Sequence, residues 1–256
     1  MGLSLNPYLS NNLSQIVLEL SETVGKLSSG TRISNTADYS ASFAIGGLLR
    51  ADIASQKQSS RNVNDAISMV QTADAAAGSI SDNLAQMKQL AVQAGNGTYS
   101  AKQKQMLQNQ FDELAAQVSQ ISNATTFNGI ALNGDNIDVS IGSGQTISVQ
   151  TQQISVSYVD LTTNPAAAEI AVDSAITQVS SYRGNLGAIA NRLDCANSVL
   201  QSTTENLMAA RSRIVDVDVA GEIASMTANI VVANSMTSMQ IHSRAISRTV
   251  LKLITG

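Results

Sequence analysis

The feature that most constrains this chain is a spacing. Val63, Ala66, Val70, Ala73, Ala77, Ile80, Leu84, Met87 and Ala91 are nine apolar residues in unbroken 3-4-3-4 steps. In a chain that is 43% apolar, such a run in one chosen register arises by chance about once in two thousand. It recurs. Leu107, Phe111, Leu114, Val118 and Ile121 form a second run, and Leu13, Val17, Leu20, Val24 and Leu27 a third. Leu186, Ile189, Leu193, Ala196, Leu200, Thr203, Leu207, Ala210 and Ile214 form a fourth, interrupted only by Thr203. An apolar repeat of 3.5 residues puts helices side by side along a narrow seam. The expected fold is mainly α: an elongated, coiled-coil-like bundle.

The breaks fall at turn chemistry. Ala94-Gly95-Asn96-Gly97-Thr98 ends the first run, and Ser100 is placed to cap the helix that carries the second. A helix from about Ala41 to Ala94 is ~80 Å long, more than the diameter of a small domain. Between Phe127 and Leu161 the period changes to two. Ile137, Val139 and Ile141, then Gly142-Ser143-Gly144-Gln145, then Ile147 and Val149 read as a β-hairpin, and Ile154, Val156 and Tyr158 as a further strand. Thr163-Asn164-Pro165 closes this patch, and the helical pattern resumes at Ala166. The chain therefore goes out as helices, turns through a small β region and returns as helices.

Composition narrows the function. The net charge is −4 with no basic cluster, which argues against nucleic acid, since phosphate binding needs concentrated Lys and Arg. A single cysteine, Cys195, leaves no internal disulfide and reads as a buried or half-buried thiol; a single histidine, His242, excludes paired-histidine zinc motifs and reads as structural or exposed. Gly142-Ser143-Gly144 has neither the lysine nor the following helix of a phosphate loop, and no nucleophile elbow is present. Neither an enzyme nor a cofactor is expected. The N-terminus lacks the basic and long apolar regions of a cleavable signal peptide. The stretch from Ile223 to Ser243 has no charge over 21 residues, but ten of these are Ser, Thr, Asn, Gln or His, so membrane insertion is not expected.

The two ends are sparsely charged with opposite signs. Residues 1–25 carry Glu19 and Glu22; residues 223–256 carry Arg244, Arg248 and Lys252. That pattern favours pairing, within one subunit or between neighbours. In the last helix, Ile223, Met226, Ile230, Val231, Ala233, Met236, Met239, Ile241 and Ile246 lie on several sides. Such a helix needs several neighbours, and self-assembly follows as the expectation.

Ordered motifs then identify a resemblance. Lys26-Leu27-Ser28-Ser29-Gly30-Thr31-Arg32-Ile33, Ser60-Arg61-Asn62-Val63-Asn64-Asp65-Ala66-Ile67-Ser68, Gln89-Leu90-Ala91-Val92-Gln93 and Thr126-Phe127-Asn128-Gly129 resemble the N-terminal arm of bacterial flagellins. Leu186-Gly187-Ala188-Ile189-Ala190-Asn191-Arg192-Leu193 and Ala210-Arg211-Ser212-Arg213-Ile214-Val215-Asp216-Val217-Asp218 resemble the return arm. The resemblance implies an extracellular flagellar filament subunit, exported through the flagellar secretion channel without a cleavable signal. It also implies an export chaperone, the export apparatus, a filament cap and hook-associated proteins as partners.

On that pattern, 1–40 forms an inner-core helix and its spoke, 41–126 and 166–218 the arms of the outer bundle, 127–165 a short β-rich segment, and 219–256 a second inner-core helix. Subunit packing is expected at Leu13, Val17, Leu20, Val24, Leu27, Met226, Ile230, Met236 and Ile241. Registration between subunits is expected from Arg61, Asn62, Asn64, Asp65, Arg211 and Arg213, polar residues within apolar-striped helices. The terminal helices are expected to complete their pairing on polymerisation. In many flagellins an Arg and a Glu near the Leu-Ala-Val-Gln motif face the vertebrate innate immune receptor. Here Leu90 is kept, but Gln86 and Gln110 stand at the charged positions, which predicts weak recognition. The rival functions are a hook–filament junction protein with the same arms and, less favoured, a membrane-active translocator.

Overall fold

The computed structural model describes residues 5–33, 40–142 and 144–255, so Ser143 of the expected turn and residues 34–39 of the expected spoke lie outside the described residues. The elements are α1 (Leu5–Ser29), α2 (Ser40–Gly95), α3 (Ala101–Ala124), β1 (Thr126–Phe127), β2 (Ile130–Ala131), β3 (Asn136–Gly142), β4 (Gln145–Gln150), α4 (Pro165–Val215) and α5 (Val219–Thr255). They form two compact units, one of residues 54–204 and one of residues 1–53 with 205–256.

In the 54–204 unit, all nine seam residues from Val63 to Ala91 are buried. They face Leu107, Phe111 and Val118 of α3 and Val172, Val179, Leu186, Leu193 and Leu200 of α4 in one apolar core. Small alanines along α2 let its neighbours approach closely. Ser100 caps α3 as expected: its Oγ accepts the Gln103 N–H, and Gln103 Oε1 accepts the Ser100 N–H at 2.9 Å. Pro165 opens α4, with Asn164 Oδ1 accepting the Ala167 N–H at 3.1 Å.

The hairpin β3–β4 is antiparallel, with Val139 opposite Ile147 and Ile137 opposite Val149. Val139, Ile147 and Val149 face the core, and Asn62 Nδ2 donates to the Ser140 carbonyl at 3.2 Å, tying the hairpin to α2. A second, smaller hairpin, β1–β2, turns at Asn128-Gly129, where both residues have positive φ.

The strand expected at Ile154, Val156 and Tyr158 does not form; residues 151–160 have no regular structure. Its alternation is real, with Ile154 buried, Val156 half-buried and Tyr158 exposed, but its backbone bonds to side chains. The Ile154 N–H donates to Ser122 Oγ at 3.2 Å, and the Leu161 N–H to Gln108 Oε1 at 2.6 Å. Gln108 Nε2 in turn donates to Asp112 at 2.8 Å and reaches the Val159 carbonyl. Two helix side chains thus replace a ladder partner. At the end of this segment, Asp160 accepts from the Thr162 hydroxyl and N–H, which hold its carboxyl below the ordinary 3.8.

In the other unit α1 and α5 pack together, with the C-terminal end of α1 beside the N-terminal end of α5: Lys26 Nζ lies 3.7 Å from Glu222 and 2.8 Å from Glu22. Among the described residues, this pair joins the helices with charges opposite to those expected from Glu19, Glu22 and the C-terminal cations. The antiparallel alignment is the reason, since it sets Glu22 near the level of Met226.

The Lys26–Ile33 motif now has a physical account. Gly30, at φ +67, ends α1 in the left-handed conformation. The Arg32 N–H then donates to the Val215 carbonyl at 2.7 Å, and the Val217 N–H to the Gly30 carbonyl at 3.2 Å. Arg32 Nη2 donates to the Ile214 carbonyl at 2.8 Å, placing a cation at the negative end of α4. Asp218 Oδ1 accepts from the Ala220 and Gly221 N–H groups and caps α5. Gly46 completes the junction, because a Cβ there lies only 2.8 Å from Val215 Cγ2.

Candidate assembly surfaces

The seam between α1 and α5 differs by one position from the spacing read in sequence. On α1 the covered positions are Leu13, Ile16, Leu20, Thr23 and Leu27, while Val17 and Val24 are 54% and 49% exposed. On α5 they are Glu222, Met226, Asn229, Ala233, Met236, Gln240 and Ser243, in strict 4-3 steps. Met226 and Met236 therefore face α1, whereas Ile230 and Ile241 turn away, Ile241 being 63% exposed.

Sequence spacing missed this choice because both helices carry apolar residues on adjacent faces, and only the partner's position selects one. The result is an uncovered apolar surface on each helix. Tyr8, Val17, Leu18 and Val24 form it on α1, and Val219, Ile223, Val231, Met239 and Ile246 contribute on α5. Exposed apolar residues gathered on both helices make these faces candidates for an interaction surface.

The polar cluster on α2 divides. Asn62 holds the hairpin, and Asn64 Oδ1 accepts from Asn197 Nδ2 at 3.1 Å, with Ser60 donating to Asn197 Oδ1 at 2.7 Å. These asparagines fix α4 and the hairpin on α2 within the unit. Arg61 is exposed and bonded to Gln58 on its own helix at 3.1 Å, and Asp65 is exposed with no ion pair among the described residues. On α4, Arg213 is exposed and donates to the Ala209 carbonyl at 3.3 Å, whereas Arg211 is half-buried beside Arg50 in a pocket with Phe43 and Val215.

Gln86, Leu90 and Gln110 come together. With Gln89, Gln93 and Gln117 they line one open cleft between α2 and α3, where, among the described residues, Glu113 supplies the only charge. Cys195 departs from expectation: its thiol is exposed, because α4 turns Leu193 and Leu200 toward the core and carries position 195 to the outside. His242 is exposed. Among the described residues no group of three His, Cys, Asp or Glu could hold a metal, and no helix is long and apolar enough to cross a membrane. The residues that sequence reading missed are the buried pins Gln108, Ser122 and Thr151. Gln108 lies one position after core residue Leu107, and that offset was the available signal.

Comparison with known proteins agrees with the arms. Residues 4–136 match the bacterial flagellin N-terminal helical region, and residues 170–254 the bacterial flagellin C-terminal helical region. A flagellin of Halalkalibacterium halodurans is 34% identical over 243 residues, covering 90% of this chain and 89% of that protein. A flagellin of Bacillus subtilis is 33% identical over 302 residues, covering 98% and 96%. The crystal structure of Bacillus cereus flagellin aligns with a TM-score of 0.50 at 29% identity, covering 59% of this chain and 94% of that one.

Proposed function

Because this chain belongs to the bacterial flagellins, the structural subunits of the extracellular flagellar filament, we propose that copies of it join through the uncovered faces of α1 and α5. The observation that carries this reading is the exposure of Val17, Leu18, Val24, Ile230, Val231, Met239 and Ile241 on helices whose other faces already meet. Burying one such side chain contributes about 1.5–3 kcal/mol. A handful of them outweighs the entropy lost when a subunit is immobilised.

In this reading α1 and α5 form the filament's inner layer. The terminal helices complete their ordering as subunits add. Before assembly the same apolar faces need cover, which suits an export chaperone. Secretion through the flagellar channel without a cleavable signal, a filament cap and hook-associated junction proteins complete the proposed partner set.

Seeded polymerisation tests the reading. Full-length chain should elongate seeds into long filaments visible by negative-stain microscopy, and a version lacking 222–256 should not. A full-length chain that only caps seeds would instead indicate a junction protein, and one that releases dye from liposomes a translocator. For the glutamine cleft we propose weak innate-receptor recognition, because Gln86 and Gln110 offer none of the charge-assisted hydrogen bonds of an Arg–Glu pair. Nanomolar activation of receptor-bearing cells by the monomer refutes this.

A further inference from the structure

The filament reading does not use a pocket in the unit of residues 1–53 and 205–256. It lies where the C-terminal end of α4 crosses the start of α2, and is lined by Phe43, Arg50, Arg211, Thr31 and Ile33. Gly46 and Val215 meet at its floor, and each arginine stands one turn from that contact, Arg50 four residues after Gly46 and Arg211 four before Val215. Arg50 and Arg211 therefore line one concavity of about 260 Å³ together with the aromatic residue Phe43. Neither has an ion pair among the described residues. A carboxylate entering this concavity would meet both arginines and accept charge-assisted hydrogen bonds from them.

The counter-charge is present elsewhere in the chain. Residues 54–204 carry eleven Asp and Glu against seven Lys and Arg, which accounts for the whole net charge of −4. Three of that unit's seven cations are already engaged: Lys88 with Asp173, Arg183 with Asp74, and Arg61 with Gln58. Asp65 and Asp194 are both exposed and have no ion pair among the described residues. The Asn64–Asn197 hydrogen bond sets them within about one turn of each other on neighbouring helices.

We infer that the Arg50–Arg211 pocket of one subunit receives the Asp65–Asp194 pair of a second copy. Building on the filament reading, this names one polar contact that sets the register of neighbouring subunits. The contact is heterologous, pocket on one copy and acidic pair on the next, so it propagates rather than closing into a dimer. The apolar faces of α1 and α5 supply adhesion without direction; a two-by-two charge contact supplies direction.

The test is a charge exchange. Arg50→Asp with Arg211→Asp, Asp65→Arg with Asp194→Arg, and the chain carrying all four substitutions are each elongated from seeds. The critical monomer concentration is read by sedimentation. Either double variant should raise it about tenfold or more, and the fourfold variant should return it to within about threefold of the unaltered chain. Monomer melting curves should coincide, because these four side chains make no ion pair among the described residues.

Unchanged critical concentrations in the double variants overturn the inference, as does a fourfold variant no better than either double. Asp38, in the segment 34–39, is the control: if Asp38→Asn alone reproduces the arginine loss, the arginines' partner lies within the same chain and the inference falls. Failure of the unaltered chain to elongate seeds at all removes the filament reading itself, a result distinct from any of these.

Discussion

Gln108→Leu tests the pins that hold residues 151–164 against α3. Gln108 is 3% exposed; it accepts the N–H of fully buried Leu161 at 2.6 Å and donates to half-buried Asp112 at 2.8 Å. Leucine has nearly the same volume, so no cavity opens, and the effect isolates the lost hydrogen bonds. The Leu161 N–H is left buried without a partner, at a cost of about 1–3 kcal/mol. The Val159 carbonyl adds little, since its bond is 3.5 Å long and the residue only half-buried. A net loss of ~2 kcal/mol moves a urea midpoint by about 1 M, for a slope near 2 kcal/mol per molar.

Hydrogen exchange makes the prediction local. If the Leu161 amide exchanges by local opening, its protection should fall about thirtyfold, while amides in α2 that exchange only by global unfolding should track the urea midpoint. Gln110→Leu, two residues along the same helix at an exposed position, should shift the midpoint by less than about 0.5 kcal/mol equivalent. The experiment is run on monomer without seeds. If Gln108→Leu leaves both the midpoint and the Leu161 amide unchanged, side-chain bonds do not replace a strand partner in this segment.

Three further outcomes follow from named contacts. Gly46→Ala should lower the melting temperature of the monomer by an amount equivalent to about 1–3 kcal/mol, because the new methyl meets Val215 Cγ2 at 2.8 Å; Gly47→Ala, with nothing within 4 Å, should raise it by about 0.5–1 kcal/mol equivalent. Ser100→Ala removes the capping box of α3 and should cost about 1 kcal/mol in the same assay. Asp160 has a lowered folded-state pKa, so its contribution is present above the ordinary value of 3.8 and disappears as pH falls through the lower folded value. Asp160→Asn should flatten that acid limb of the stability curve, and an unaltered limb would show that the Thr162 bonds do not set it.

Much of the fold was legible because an apolar repeat is a statement about a helix's own geometry. The nine-residue seam, the Ser100 cap and the pairing of β3 with β4 each depend on residues close in sequence, and the structure bears them out. The motifs of both arms were legible for another reason: they combine a glycine with positive φ, a capping aspartate and a carbonyl-seeking arginine, residue types with few substitutes at such positions. Where the spacing misled, the deciding group lay on another element. Residues 151–160 alternate as a strand does, yet Gln108 and Ser122, more than thirty positions earlier, took the bonds that a neighbouring strand would have taken.

What the sequence by itself determined, then, is which segments are helical, where they start and stop, and that more apolar surface exists on the end helices than one partner covers. Tertiary structure alone decided which of two adjacent apolar stripes on α1 faces α5, leaving Val17 and Val24 outside and Thr23 within. It also decided that Cys195 is exposed and that Arg50 and Arg211 share a pocket. The physical reason is the same in each case. Periodicity sets the angle of a side chain about its own helix, whereas burial and charge pairing depend on where a second helix lies, and that position is set by the packing of the whole chain.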